Sequence, residues 1–169
     1  PFTAQTYGLR LGGPIVKDKA FFFINGELQR DETPRPFEFS SYTGSVTEQD
    51  LAQLVSRLNE LGYDPGTYLN VVNKLTSNKL LARFDFNLSD KHKLTLRHSY
   101  TKGESTTPAA SGSRVINFSN AGILFPSVTN SSALELKSHF SNRLSNNLIL
   151  GFTAVNDDRN PMGNPFPFV

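Results

Sequence analysis

Residues 79–103 read KLLARFDFNLSDKHKLTLRHSYTKG, and this stretch decides the fold. It divides into two alternating runs joined by the polar turn Ser89-Asp90-Lys91-His92. In the first run Leu80, Ala82, Phe84, Phe86 and Leu88 fall on one side, and Leu81, Arg83, Asp85 and Asn87 on the other. In the second, Leu94, Leu96, His98 and Tyr100 oppose Lys93, Thr95, Arg97, Ser99 and Thr101. Side chains of a β-strand alternate between faces, so each run is a strand with one apolar face. Strands of about nine to eleven residues with one apolar face have the length to cross a bilayer at a tilt, whereas soluble strands average about five or six.

Four more strands carry the same alternation. Working outward, strands are expected near 6–15, 20–31, 79–88, 93–103, 131–141 and 147–157. Tyr7, Leu9, Leu11 and Gly13 share a face in the first; Phe22, Ile24, Gly26 and Leu28 do so in the second. Leu134, Leu136, Ser138 and Phe140 mark the fifth, and Leu148, Leu150, Phe152 and Ala154 the sixth. The Phe21-Phe22-Phe23 cluster beside a turn reads equally as an interfacial aromatic girdle or as plain core packing.

The connections differ in length. Those near residues 17, 90 and 144 are short. Those over 32–78 and 104–130, and the stretch after 158, are long. Outer-membrane barrels sort their loops this way, short on the inside and long on the outside. Pro34 and Pro36 are expected to prevent strand pairing in the first long connection. A short helix is expected there over 47–61, with Thr47 as N-cap, a stripe of Leu51, Leu54, Val55, Leu58 and Leu61, and Gly62 past its end. The second long connection is expected to be loop, with a short strand at 114–118, and 160–169 to be loop with three prolines.

The fold class is thus all-β: an antiparallel meander of about six long strands forming part of a transmembrane β-barrel, with one short helix in a long loop. Six strands in one sheet leave two edges open, and single-chain membrane barrels have about eight or more. The slightly negative mean hydropathy is neutral on this point, because alternating strands average out.

Composition excludes several chemistries. There is no cysteine, hence no disulfide, thiolate metal site or cysteine nucleophile. A net charge of +2 with interspersed signs gives no nucleic-acid footprint. The chain has fourteen Phe, five Tyr and no Trp. His92, His98 and His139 form no zinc-binding spacing. Asp157-Asp158-Arg159-Asn160 lacks the EF-hand pattern and reads better as a turn whose carboxylates pair Arg159 or cap backbone. Asp85 and Arg97 share the polar face, opposite or diagonal, and read as an ion pair. No nucleophile elbow, P-loop or dinucleotide motif occurs, so neither catalytic residues nor a cofactor are expected.

Longer runs carry a family likeness. RLGGPIVKDKAFFFINGELQRDETP (10–34), LGYDPGTY (61–68), RFDFNLSDKHKLTLRHSY (83–100) and FSNRLSNNLILGFTAVNDDRNPMGNPFPFV (140–169) together resemble, in order, the first barrel quarter of Oar-like TonB-dependent outer-membrane receptors of the Bacteroidetes type. That resemblance implies a barrel of about twenty-two strands closed around an N-terminal plug, imports driven by TonB, and no enzymatic activity. Neither the plug nor a TonB box is legible in these residues. It implies as partners the bilayer, the rest of the barrel, the plug, TonB and a small nutrient ligand: a peptide, a glycan or chelated iron. On the barrel reading Arg10, Arg83, Asp85, Arg97, Glu135 and Lys137 face the lumen. The alternatives are a soluble adhesive or carbohydrate-binding β-domain whose sheet is covered by the 47–61 helix, and a hydrolase using Asp85 or Asp157.

Overall fold

The computed structural model describes residues 1–165. Residues 166–169, expected to be loop, lie outside the described residues. Six long strands follow in chain order: β1 (Thr3–Val16), β2 (Ala20–Arg35), β3 (Val71–Ser89), β4 (His92–Thr107), β5 (Ile123–Ser141) and β6 (Leu144–Asp157). Each pairs antiparallel with the next, so spatial order equals chain order. A two-residue strand, β7 (Asn160–Pro161), pairs with the start of β5. The helix α1 (Glu48–Glu60) sits in the connection between β2 and β3.

Register places the apolar sets on one face. Gly13, Phe22, Phe84, Leu96, Leu134 and Leu150 are successive cross-strand partners, forming one row across the whole sheet. The next row toward the turns is Ala20, Phe86, Leu94, Leu136 and Leu148. Because side chains alternate, the intervening rows, such as Phe21, Asp85, Thr95, Glu135 and Ile149, occupy the opposite face.

The same register gives the strand tilt. Phe22 lies two residues past the start of β2, Leu96 four past the start of β4, and Leu150 six past the start of β6. A perpendicular row therefore climbs two residues per hairpin, one per strand. With the three short turns level, as on one membrane surface, a rise of about 3.4 Å over a spacing of about 4.8 Å tilts the strands by about 35°. Membrane barrels tilt by about 35–45°.

The three short turns are built alike. Each has a register shift just before it, at Pro14/Val16, Asn87/Ser89 and His139/Ser141. Each of the first two is also tied to the following hairpin: Asn87 N–H donates to the Lys19 carbonyl and His139 N–H to the Lys91 carbonyl, both at 2.8 Å. Asp18 takes the left-handed conformation (φ 60°) that asparagine and aspartate tolerate best.

Several expectations from the sequence need correction. Every strand runs further than its alternation predicted, β3 by eight residues at its start and β5 by eight at its start. The long connections shrink accordingly to 36–70 and 108–122. Pro34 does not stop pairing; it sits in β2 opposite Val72. The reason is position: β1 reaches only to Glu32, so past that residue β2 has one neighbour and an open side where a missing N–H is tolerated. Residues 114–118 form no strand; Val115 makes only an isolated bridge with Gly112. Residues 160–161 are strand rather than loop, held against Leu124 and Ile123.

The helix does not cover the sheet. It makes no substantial contact with any strand, and the apolar face stays open, with Leu9 80% and Phe152 70% exposed. Among the described residues the buried apolar side chains are Phe37, Leu51 and Val71, all at the long-loop end. A soluble sheet with an apolar face this wide and uncovered would lack the burial that stabilises such a domain in water.

Candidate functional site

The polar face of the sheet and the loops at its far end are the two places where functional groups gather. On the polar face, register brings all six residues singled out from the sequence to one side: Arg10, Arg83, Asp85, Arg97, Glu135 and Lys137. Arg83 lies directly opposite Arg97, and Asp85 opposite Thr95, which is in turn opposite Glu135.

The ion pair expected between Asp85 and Arg97 is not the one formed. Arg83 donates from Nε and Nη2 to Asp85 Oδ1 at 3.1 and 2.8 Å, and Thr95 Oγ1 donates to the same oxygen at 2.7 Å. Arg83 is two residues from Asp85 on the same strand and same face, and so reaches it more directly than Arg97 does from the diagonal position. Glu135 pairs with Lys137 at 3.2 Å, again two residues apart, and Lys79 pairs with Glu27 across β2 and β3 at 2.7 Å. Each of these carboxylates has a cation. Arg10 and Arg97 have no ion-pair or hydrogen-bond partner among the described residues. Arg83, Thr95, Arg97, Glu135 and Ile149 line a recess of about 150 Å³. This face therefore presents surplus positive charge beside neutralised pairs.

Phe23 also belongs to this face, opposite Gly12. A Cβ at Gly12 would come within 3.2 Å of the Phe23 ring and 3.0 Å of the Phe22 carbonyl oxygen, so the ring covers the glycine. Phe22 lies on the apolar face opposite Phe84. The aromatic cluster is thus split between the two faces.

The loops form a second ordered unit. Thr47 caps α1 through a reciprocal box: its hydroxyl accepts from Asp50 N–H at 3.1 Å, and its own amide donates to Asp50 Oδ2 at 2.9 Å. These bonds, the side-chain one first, hold the Asp50 carboxyl below the usual carboxylate range. Gly62 ends the helix at φ 77°, a left-handed position that glycine adopts without strain. Connections 36–70 and 108–122 are then laced together. Thr43 Oγ1 donates to the Ser113 carbonyl at 2.8 Å, Ser119 N–H to the Thr67 carbonyl at 2.7 Å, and Ser111 Oγ to the Tyr68 carbonyl at 3.0 Å. Asn120 Nδ2 donates to the Asp64 carbonyl at 2.6 Å and the Tyr63 hydroxyl at 3.1 Å. Tyr68 and Phe118 meet edge to face at 5.7 Å. Leu54 and Leu61 of the helix stripe remain exposed on this cap.

The remaining candidates take structural places. Asp158 Oδ1 accepts from Arg159 N–H at 2.7 Å, the backbone-capping arrangement, and the Asp158 amide donates to the Pro126 carbonyl. His92 is hydrogen-bonded to Ser138 at 2.8 Å and stacks edge-on to Phe140 at the short-turn end. His98 is bonded to Ser132 at 2.9 Å within the apolar face. Ser132 did not stand out in the sequence; the signals were His98 and Ser138, each a polar residue in an otherwise apolar set.

Residues 42–168 match the family model described as an outer membrane beta barrel domain. No curated protein and no solved structure matches the chain.

Proposed function

The chain belongs to the outer membrane β-barrel domain family and resides in the bacterial outer membrane, and from that premise we propose that it is part of the wall of a TonB-dependent receptor that captures and imports a nutrient ligand. The observation that carries the reading is the division of the sheet: one face apolar in successive rows across six strands, the other carrying the paired and surplus charges. On this reading the apolar face meets lipid. The polar face, with Arg10, Arg83, Asp85, Arg97, Glu135 and Lys137, lines the lumen. The laced loops lie outside, where a ligand arrives. The open edges of β1 and β6 are closed by further strands, because unpaired backbone in lipid costs several kcal/mol per group. The in-order likeness to Oar-like receptors supports the receptor assignment. The wall itself performs no bond-making chemistry: it holds the loops, binds the plug and gives the ligand a hydrated, charged path. Import is then driven by TonB acting on the plug.

The test is genetic and uses the whole protein in its own cell. Strains lacking the protein, lacking TonB, or lacking both are grown on limiting peptide, glycan or chelated iron. A shared loss on one source, no deeper in the double mutant, is the expected result. A defect that persists or deepens independently of TonB would overturn the receptor reading while leaving the barrel intact.

A further inference from the structure

One row toward the loops from Leu96 and Leu134, the apolar face is broken by the hydrogen-bonded pair His98 Nδ1 and Ser132 Oγ, 2.9 Å apart. The two are direct cross-strand partners on β4 and β5. They lie at the edge of a groove of about 420 Å³ whose other walls are Phe84, Leu96, Leu134, Leu150 and Phe152. The groove exists because Ala82 and Ser132 are short where their neighbours are long.

Hydrogen-bond arithmetic identifies what fits the pair. If Ser132 donates to Nδ1, the imidazole Nε2–H is left as a donor. If Nδ1–H donates to Ser132, Nε2 is left as an acceptor and the serine keeps its own proton as a donor. In either tautomer the pair offers one more donor and at least one more acceptor. A hydroxyl group, which both donates and accepts, completes either. Acyl-chain carbon alone leaves these groups unsatisfied in a water-free surrounding, which is costly.

The rest of the column continues the pattern toward the loops. One row on, Tyr100 faces Asn130; one row beyond that is Lys102, exposed, with no partner among the described residues. Lys102 is four residues from His98, about 14 Å along the strand. From short turn to loops the column therefore reads apolar groove, hydroxyl-binding pair, polar row, cation. We infer that this column is a binding site for an outer-leaflet glycolipid whose acyl chain bears a hydroxyl near its head-group end and whose head carries phosphate. The chain lies in the groove, its hydroxyl bonds to His98 and Ser132, and the phosphate meets Lys102. The inference rests on the apolar face being the lipid face.

Native mass spectrometry of the full-length protein in mild detergent tests it, with phosphorylated 3-hydroxyacyl lipid A against dipalmitoylphosphatidylglycerol, which is anionic but lacks the hydroxyl. The wild type is expected to retain lipid A at least about threefold better, the size of one membrane hydrogen bond. H98L/S132A should erase that preference, and K102Q should weaken both lipids alike. Ser132→Ala alone, a smaller change, carries the same expectation should the double variant fail to fold. No preference in the wild type, or an undiminished preference in these variants, overturns the site. A nitroxide on L150C separates the two levels. Collision with oxygen rather than with a water-soluble relaxant upholds the facing; the reverse overturns the facing and the site with it.

Discussion

Phe84→Lys puts the facing of the sheet to a quantitative test. The apolar run of β3 extends from Leu80 to Leu88, with Phe84 at its centre. Eight steps of about 3.4 Å, foreshortened by a tilt of about 35°, span about 22 Å, close to the about 25 Å apolar band of a membrane barrel. Phe84 therefore lies near the bilayer midplane. A lysine there costs about 2–4 kcal/mol, a factor of about 30 to 700 in the folding equilibrium. The neighbouring Arg97→Ala, on the polar face and without a partner, should cost under about 0.5 kcal/mol. The assay is folding of the full-length protein into lipid vesicles, followed by denaturant titration and by the mobility shift on boiling. A Phe84→Lys loss as small as that of Arg97→Ala would refute the assignment of this face to lipid.

Other consequences are equally concrete. Gly12→Val would force a side chain against the Phe22 carbonyl at 3.0 Å and the Phe23 ring, so β1–β2 should be destabilised by about 1–3 kcal/mol, read in the same titration. Asn120→Ala removes the bonds to Asp64 and Tyr63 and should expose 108–122 to added protease on whole cells while the barrel stays heat-modifiable. The depressed Asp50 carboxyl makes the loop helix pH-sensitive in a defined direction. A group with a lowered folded-state pKa stabilises above its unfolded value, so protection of the 48–60 amides should hold at neutral pH and fall as the pH drops through and below the ordinary carboxylate range. Asp50→Asn should flatten that profile; an unchanged profile would remove the capping box as its cause.

What the sequence discloses follows from where water lies on each side of a strand. Within the bilayer one face must be apolar, so Leu80 to Leu88 and Leu94 to Tyr100 announce both strand and facing. Beyond the bilayer both faces meet water, and the signal vanishes. Asn73, Lys74, Thr76 and Asn78 are strand, yet nothing in their order says so, and Pro34 argued against a strand that is present. Parity of position places Arg83, Asp85 and Arg97 on one side. It cannot rank the same-strand pair above the diagonal one; that depends on which side chain reaches first. The loop cap was legible only at Thr47 and Gly62, whose roles are local. The lacing by Ser111, Ser119 and Asn120 depends on contacts between residues 43, 52 and 57 positions apart, which no spacing encodes.

The alternation of short and long connections also sets an order of assembly. Residues 17–19 close the first hairpin, whereas 35 residues, 36–70, separate β2 from β3. Bringing the ends of the longer loop together costs about 2 kcal/mol more in chain entropy. The three hairpins therefore form as separate units before they join, and the slow step is docking one ready-made hairpin on another. The helix and the laced segment in the long loops shorten the free chain that must be gathered at that moment. Changes that loosen the cap should then show first as a delay in wall closure, with the finished wall unaltered.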